Sequence, residues 1–208
     1  NLYKDRLFDE LKKFIKSNVL EKLSNDKYST ELVEIIFPQL KKIQFFKNPN
    51  FFAKAKLNEC DVIFLLSILI IDESDNLEFF IYKFNISKKD QKRLNNMNNF
   101  FNDKITSSSF SERNLNKLFY YSGKQAVIDI LSYKLFVSKK IDKKLIALLE
   151  IFKSKVMPSL PISAQNLMSE HNIPEGKTLG NKLKMIEEEW VNNNFKLSDK
   201  QINKIISR

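Results

Sequence analysis

Glycine and proline are scarce in this chain, and their scarcity limits the folds that it can adopt. The 208 residues contain three glycines and five prolines, together with eighteen phenylalanines. A β sandwich needs a turn, and with it glycine or proline, about every ten residues. Helices that are joined by a few connections need far fewer glycines and prolines. The sequence therefore predicts an all-α fold of many helices, with phenylalanine rings filling much of the core.

Two of the three glycines, Gly176 and Gly180, lie only four residues apart in the segment 158–195. Upstream of them, Ser163 is a favourable N-cap for a short apolar helix. Pro174 and Gly176 then predict a tight turn, because proline fixes φ and glycine accepts positive φ. The segment thus predicts a helix, a glycine turn and a second helix.

The second of these helices has apolar residues at helical spacing on one face. They are Leu179, Leu183, Ile186 and Trp190. Lys177 and Thr178 stand at its start, where unpaired backbone amides and the helix dipole point outward. A phosphate group suits such a start, so this turn is a candidate anion-binding site.

The positive charge of the chain is concentrated in its middle. Residues 1–82 carry 12 basic against 13 acidic residues, residues 83–156 carry 16 against 6, and residues 157–208 carry 7 against 6. A basic segment of this size is typical of proteins that bind a polyanion such as RNA. A lysine-rich, solvated surface explains the charge equally well, so charge alone leaves both interpretations open.

The longest apolar run, Val62–Ile71, has ten residues, which is about half of what a membrane span needs. The start of the chain has none of the features of a signal peptide. Cys60 is the only cysteine, so we expect no disulfide framework and a buried thiol beside the apolar run. These features favour a cytoplasmic protein without a membrane partner. Because the chain opens on an amphipathic helix without a methionine, we expect a piece of a longer protein.

Four phenylalanines flank the loop Asn48–Asn50, namely Phe45, Phe46, Phe51 and Phe52. Stacking on RNA bases is one use of such rings. Aromatic pairs that flank a turn more often pack in a core. We therefore predict that burial of these rings holds the loop in place.

The order of residues from 160 to 190 resembles the C-terminal tail of bacterial CCA-adding tRNA nucleotidyltransferases and of their poly(A) polymerase relatives. The residues that carry the resemblance are Leu160, Pro161, Ser163, Leu167, Met168, Ile173, Pro174, Gly176, Gly180, Leu183, Glu187 and Trp190. Ala164 and Asn166 depart from it, since that family usually has glycine and aspartate there. The segments 5–11, 86–94 and 121–126 resemble elements of the family's neck and body, so the resemblance covers almost the whole chain.

The resemblance implies an elongated helical body with a small helical tail. Residues 1–82 would be the neck end and the start of the body, residues 83–156 the basic body, and residues 157–208 the tail. The implied function is tRNA 3′-end maturation, in which a catalytic head domain transfers CMP and AMP from CTP and ATP with magnesium. The expected partners are tRNA and that head, which this chain lacks. Magnesium, CTP and ATP would belong to the head, and no cofactor is expected in this chain.

The sequence itself offers no catalytic site. His171 is the only histidine and no glycine-rich phosphate loop occurs, which argues against histidine-cluster metal sites, Ser-His-Asp triads and P-loops. Asp72 and Asp75 would form a two-metal carboxylate pair if the apolar run before them were a strand. A helix explains that run equally well. We favour a solvated turn for the two aspartates, because the head's Gly-Ser and D-x-D elements are missing, and we expect the chain to be inactive alone.

The tRNA backbone is the proposed ligand of the basic and tail residues. In the body the candidate phosphate contacts are Lys88, Lys89, Lys92, Arg93, Arg113, Lys117 and Lys124. In the tail they are Ser163, Gly176, Lys177, Thr178, Gly180 and Lys182. Two alternatives stay open: the same portion of a poly(A) polymerase that acts on general RNA 3′ ends, and a helical module that docks a protein partner through its aromatic surface.

Overall fold

The computed structural model describes residues 2–16 and 19–207, and every regular element in these ranges is helical. The α-helices are α1 (Leu2–Lys16), α2 (Leu20–Asn25), α3 (Lys27–Ile36), α4 (Phe51–Lys56), α5 (Val62–Ile70), α6 (Asn76–Lys83), α7 (Lys88–Asn102), α8 (Glu112–Ser122), α9 (Lys124–Val137), α10 (Lys143–Ser154), α11 (Ala164–His171), α12 (Lys177–Asn192) and α13 (Asp199–Ile206). Three short 3-10 turns lie between them, at Ile43–Lys47, Leu57–Glu59 and Ser107–Phe110. The all-α prediction is confirmed. None of the described helices combines the length and the apolar character that crossing a bilayer requires.

The chain forms two compact units. The first contains residues 1–106 and 125–153, and the second contains residues 107–124 and 154–208. The change in charge after residue 156 lies close to the boundary between the two units at residues 153 and 154. The boundary suggested at residue 82 falls at the end of α6, inside the first unit. Helix α8 belongs to the second unit, so the basic middle of the sequence is divided between the two.

Side chains cap the starts of many helices. The capping residues are Asp26, Asn50, Asp61, Ser87, Ser111, Ser163 and Ser198. Each accepts a hydrogen bond from a backbone amide of the first helical turn, which would otherwise lack a partner. These caps are local in sequence, and Ser163 caps α11 as predicted.

The apolar run is a helix, α5, and not a strand. Asp61 caps it by accepting a hydrogen bond from the Phe64 amide at 3.0 Å, and its side chains are buried along its whole length. A helix that is buried on every side has no polar stripe, so its sequence shows no helical period. Asp72 follows in a bend, 3.1 Å from the ammonium of Lys41, and Asp75 is exposed. The structure therefore has the turn that we favoured and not a carboxylate pair at a strand end.

Phenylalanine rings form much of the core of the first unit. Phe8 of α1 meets Phe80 and Phe84 at centroid distances of 6.2 and 5.8 Å, and the latter two rings lie 4.6 Å apart. Leu11 and Ile15 are buried on the same face of α1. These contacts join α1 to α6 as the abundance of phenylalanine predicts.

The second unit has its own apolar core. Five buried residues from α11, α12, α13 and the glycine turn pack together, namely Leu167, Ile173, Leu179, Ile186 and Ile205. Trp190 of α12 is also buried, with its ring centroid 5.6 Å from that of Tyr120 in α8 and 4.9 Å from that of Phe195. This core fixes the start of α12, where the candidate tail residues lie.

Candidate nucleic-acid interface

The glycine turn joins α11 to α12 as the sequence predicts. Asn172 ends α11 in the left-handed conformation, with φ of 52°, and the Ile173 amide donates to the Leu167 carbonyl at 3.3 Å. Gly176 then has φ of 139° and ψ of −163°, a conformation that is essentially reserved for glycine. The Gly176 carbonyl accepts a hydrogen bond from the Gly180 amide at 3.1 Å, which begins α12. The turn is thus specified by one glycine and one asparagine.

The polar residues of this turn face solvent while its apolar residues are buried. Gly176, Lys177, Thr178 and Gly180 are exposed, whereas Leu179 belongs to the core. No side chain caps the start of α12. Its first backbone amides are therefore open to an anion.

Two other tail residues take part in local hydrogen bonds. Ser163 is exposed and its hydroxyl exchanges hydrogen bonds with Asn166 in a capping box. The ammonium of Lys182 donates to the Ile206 carbonyl at the end of α13. A lysine has three donors, so this contact leaves Lys182 capable of a second one.

Three lysines of the body lie together at the start of α7. Lys88, Lys89 and Lys92 are all exposed, and Lys88 and Lys92 share one helix face because they are four residues apart. Ser87 caps this helix by accepting a hydrogen bond from the Asp90 amide at 3.2 Å. These lysines form a compact basic group in the first unit.

Arg93, the next basic residue of α7, is committed to an internal ion pair. Its Nε and Nη2 atoms lie 2.5 and 2.8 Å from the two carboxylate oxygens of Asp129, and its Nη1 atom lies 2.8 Å from Asp61. The Gln125 amide also donates to Asp129, at 2.9 Å. The Arg93 side chain is 17 % exposed and the Asp129 side chain 2 %. Arg93 therefore stabilises the first unit. Because two carboxylates already compensate its charge, it is less available to a phosphate than the exposed lysines of α7.

The two carboxylates that bind Arg93 differ in burial, and their pKa values move in opposite directions. Burial raises the pKa of Asp129 above its ordinary value, although Arg93 acts in the opposite sense. Burial also acts to raise the pKa of Asp61, but the hydrogen bond and charge of Arg93 and the backbone amides of Phe64 and Ile63 together outweigh it, so the pKa of Asp61 is lowered. The more exposed Asp61 loses less hydration, which accounts for the difference.

A cavity of about 190 Å³ lies beside this ion pair, inside the first unit. Its apolar lining includes Phe52, Phe64, Phe136 and Leu149. Cys60 also borders it, and burial raises the pKa of this thiol to about 12. The ion pair beside this cavity was not predicted from the sequence. The available signal was Asp129, the only acidic residue of α9, which stands between Ile128 and Ile130.

The remaining basic candidates lie in α8 and at the first residue of α9, and all of them belong to the second unit, together with the glycine turn. Arg113 and Lys124 are exposed and Lys117 is half-buried. Tyr121, which the sequence analysis did not single out, follows Lys117 by four residues and is 58 % exposed. Arg113, Lys117 and Tyr121 therefore share one face of α8.

Helix α8 runs antiparallel to α12. The Tyr120 hydroxyl donates to the Glu187 carboxylate, and the Asn116 side-chain amide donates to the Asn194 side chain at 3.0 Å. Asn116 pairs with Asn194, and the later residue Tyr120 pairs with the earlier residue Glu187. The C-terminal end of α8 therefore points toward the N-terminal half of α12, which carries the glycine turn. The hydrogen bond to Glu187, together with burial, raises the pKa of Tyr120 to about 12.

Metal ligands are not grouped in the part of the chain that the structure describes, since none of its histidine, cysteine, aspartate and glutamate side chains form a cluster of three that fits a metal ion.

No protein-family model matches the sequence, and no curated protein matches it either. The resemblance to CCA-adding enzymes accordingly rests on the motif residues alone, and family membership stays a prediction.

Proposed function

We propose that this chain is the RNA-gripping C-terminal portion of a CCA-adding tRNA nucleotidyltransferase, which holds the acceptor and T-arm backbone of tRNA and positions its 3′ end for a catalytic head. The observation that supports this most is how the tail motif divides between core and surface. Its members Leu167, Ile173 and Trp190 are buried in the second unit, while its two glycines, Gly176 and Gly180, are exposed. Lys177 and Thr178 are exposed between these glycines, at the uncapped start of α12, where a ligand could reach them.

The proposed contacts are to phosphates and carry shape information, not sequence information. Lysine and arginine side chains and open backbone amides bind phosphate oxygens and fix the register of an RNA duplex without reading bases. Such contacts suit an enzyme that must accept all tRNAs. The proposed contacts are those predicted from the sequence, except Arg93. They fall into one group on α7 and another on α8, the start of α9 and the tail.

In this proposal the chain contributes positioning and not chemistry. The head would hold magnesium, CTP and ATP and carry out nucleotidyl transfer. Holding the tRNA 3′ end at the head replaces an encounter between separate molecules, and such positioning lowers a barrier by several kcal/mol, up to about 7–11 kcal/mol in well-oriented systems. The chain alone is expected to be inactive.

The test is a binding titration of the chain against mature-length tRNA and an unstructured RNA, at about 50 mM and about 200 mM salt. One variant replaces Lys88, Lys89 and Lys92 with glutamine. A second replaces Arg113, Lys117 and Lys124, and a matched control replaces Lys13, Lys22 and Lys27, which are exposed in α1–α3.

The expected result is tighter binding to tRNA than to unstructured RNA, with a steep loss of affinity at the higher salt concentration. Each lost phosphate contact lowers the slope of log affinity against log salt by about one. The two site variants should show this loss and the control should not. A flat salt response, or an equal loss in the control, would remove the electrostatic basis of the proposal. Equal binding of both RNAs would favour a poly(A) polymerase portion that acts on general RNA 3′ ends.

A protein-docking module is the second candidate, because α3 has an exposed apolar face. Tyr28, Leu32 and Ile35 follow helical spacing and are 85, 58 and 78 % exposed. A groove of about 450 Å³ adjoins Leu32, and its apolar lining includes Phe14, Val19, Leu23 and Val33. An amphipathic helix of a partner protein is the ligand that such a groove accepts.

The docking candidate makes its own prediction. It expects association without RNA, insensitive to salt and dependent on protein concentration, which sedimentation velocity measures. Leu32→Glu would abolish that association and Lys27→Gln would leave it intact. A chain that stays monomeric and captures no partner helix, but binds tRNA, would exclude this candidate.

A further inference from the structure

One phenylalanine of the aromatic loop is not in the core. Phe46 is fully buried, as predicted for the four rings of this loop, but Phe51 is 82 % exposed. Phe45 and Phe52 are half-buried. The expectation that burial of all four rings holds the loop is therefore wrong for Phe51. A single exposed apolar side chain is common on protein surfaces, so the surroundings of Phe51 have to indicate what it binds.

The backbone that carries Phe51 is fixed on both sides. The side-chain nitrogen of Asn50 lies 2.8 Å from the carbonyl oxygens of Leu135, Phe136 and Ser138 at the end of α9. Its side-chain oxygen accepts a hydrogen bond from the Ala53 amide at 2.8 Å. On the other side of Phe51, the Phe52 ring meets Phe136 edge-on at 5.8 Å. The exposed ring is thus carried by a rigid attachment of α4 to α9 and not by a loose loop.

Exposed lysines occur on both of the chain segments that Asn50 joins. Lys54 shares the face of Phe51 on α4, because it lies three residues later. Lys139 and Lys140 follow directly after Ser138, whose carbonyl accepts from Asn50, the residue before Phe51. All three lysines are exposed.

A hollow of about 300 Å³ lies between Glu21 of α2 and the residues that flank Phe51 in the chain. It is lined by Glu21, Lys47, Asn48, Pro49, Lys54, Leu57 and Asn58. Neither Lys47 nor Lys54 forms an ion pair with a described residue. The lining contains two lysines and one glutamate, so the hollow has a net positive charge. Its two asparagines supply neutral hydrogen-bond donors.

We propose that Phe51, Lys47, Lys54, Lys139 and Lys140 form a binding site for single-stranded RNA, here called the Phe51 platform. One base stacks on the exposed Phe51 ring, and the lysines hold the phosphates on either side of it. An aromatic ring within a basic surface is the usual arrangement of single-strand binders, since every base has a π face and every linkage has a charge. The site is therefore tolerant of base identity.

The neighbours of Phe51 argue against an apolar protein partner at this position. A protein that covered the ring would also bury several lysine ammonium groups, at a considerable desolvation cost. The exposed face of α3 is different, because Leu32 and Ile35 are themselves apolar neighbours. A nucleic acid supplies the negative charge that the lysines need and the flat ring that Phe51 needs.

The platform goes beyond the proposed function, because it requires neither tRNA nor a catalytic head. The probe that tests it is a fluorescein-labelled oligouridylate, compared with an abasic ribose-phosphate chain of the same length. Anisotropy titrations use the full chain with Phe51→Ala, Phe51→Trp and the control Tyr28→Ala, whose aromatic ring on α3 is equally exposed. Circular dichroism confirms that each variant is folded.

The expected result is that Phe51→Ala weakens oligouridylate binding about tenfold, while Tyr28→Ala has no effect. Binding of the abasic chain should not change in either variant, because it has no base to stack. Phe51→Trp should retain affinity and show fluorescence quenching on binding, beyond any change in Trp190. Replacing Lys47 and Lys54 with glutamine should lower the salt slope by about 0.7 for each lost contact.

Three outcomes would overturn the platform. They are unchanged oligouridylate affinity in Phe51→Ala, an equal loss for the abasic chain, and no binding of oligouridylate by the wild-type chain at low salt. These outcomes are separable from failure of the proposed function, which is read from the preference for tRNA and from the variants of α7 and α8. A chain that keeps tRNA preference but does not respond to Phe51→Ala refutes only the platform.

Discussion

Replacing Gly176 with alanine tests whether the glycine turn is specified by backbone conformation. The φ of 139° and ψ of −163° of Gly176 fall in a region that residues with a Cβ atom almost never occupy. An added Cβ would meet no atom within 4 Å, so crowding adds nothing and the cost is conformational. A residue held in such a region costs about 1–3 kcal/mol. We expect the free energy of unfolding to fall by that amount.

Gly180 provides the matched control, four residues after Gly176 in the chain. It lies inside α12 without a positive φ, and an added Cβ there also meets nothing within 4 Å. Alanine is favoured over glycine inside a helix by about 0.5–1 kcal/mol. Gly180→Ala should therefore stabilise the protein while Gly176→Ala destabilises it, a separation of about 1.5–4 kcal/mol between two variants of the same chemical change.

The assay is urea unfolding followed by the fluorescence of Trp190. This is the only tryptophan of the chain, and it is buried in the second unit, so its signal reports the unit that contains both glycines. Equal stabilities for the two variants, or a Gly176→Ala protein as stable as the wild type, would refute the argument from backbone conformation. A tRNA titration adds the functional readout: if the turn binds RNA, Gly180→Ala weakens binding despite its higher stability.

Three further predictions concern titratable side chains outside the glycine turn. Asp129→Asn should lower the free energy of unfolding, measured in urea, by about 3 kcal/mol, because the partly buried Arg93 guanidinium loses one of its two carboxylates. A loss no larger than that of the exposed control Asp9→Asn would contradict this prediction. Cys60 should react with iodoacetamide at pH 8 roughly a thousandfold more slowly in the native chain than in urea, because a thiol pKa of about 12 leaves little thiolate. Mass spectrometry measures the two rates, and equal rates would contradict burial of the thiol. The raised pKa of Tyr120, about 12, means that its stabilising contribution is complete below the unfolded pKa of about 10 and is lost as pH rises toward 12. Tyr120→Phe should remove this part of the pH dependence of stability, and an unchanged pH profile would contradict it.

Local features of the fold could be read directly from the sequence. The cap at Ser163 and the turn at Gly176 depend on residues within a few positions of one another, so the sequence contains all of the information that they need. The all-α class followed from composition, because too few glycines and prolines are present for many tight turns. The same reasoning predicted which face of α12 is buried, and Leu179, Ile186 and Trp190 lie there.

Residues of the same type in the same helix took different roles that the sequence did not distinguish. Lys92 and Arg93 are adjacent basic residues, and both were predicted to bind phosphate. Arg93 faces Asp129, which is 36 residues away, and pairs with it, whereas Lys92 faces solvent. The neighbouring Phe51 and Phe52 differ in the same way, because only Phe52 reaches Phe136.

The helical class, the helix starts and the glycine turn follow from the sequence alone, since these depend on propensities and hydrogen bonds within one or two turns of chain. Tertiary contacts determine that α5 is a helix buried on all sides, that α8 joins the tail, and which charges and rings remain exposed. A side chain becomes a core group or a binding group according to what the rest of the chain places next to it. That neighbour is often dozens of residues away, and no local pattern encodes it.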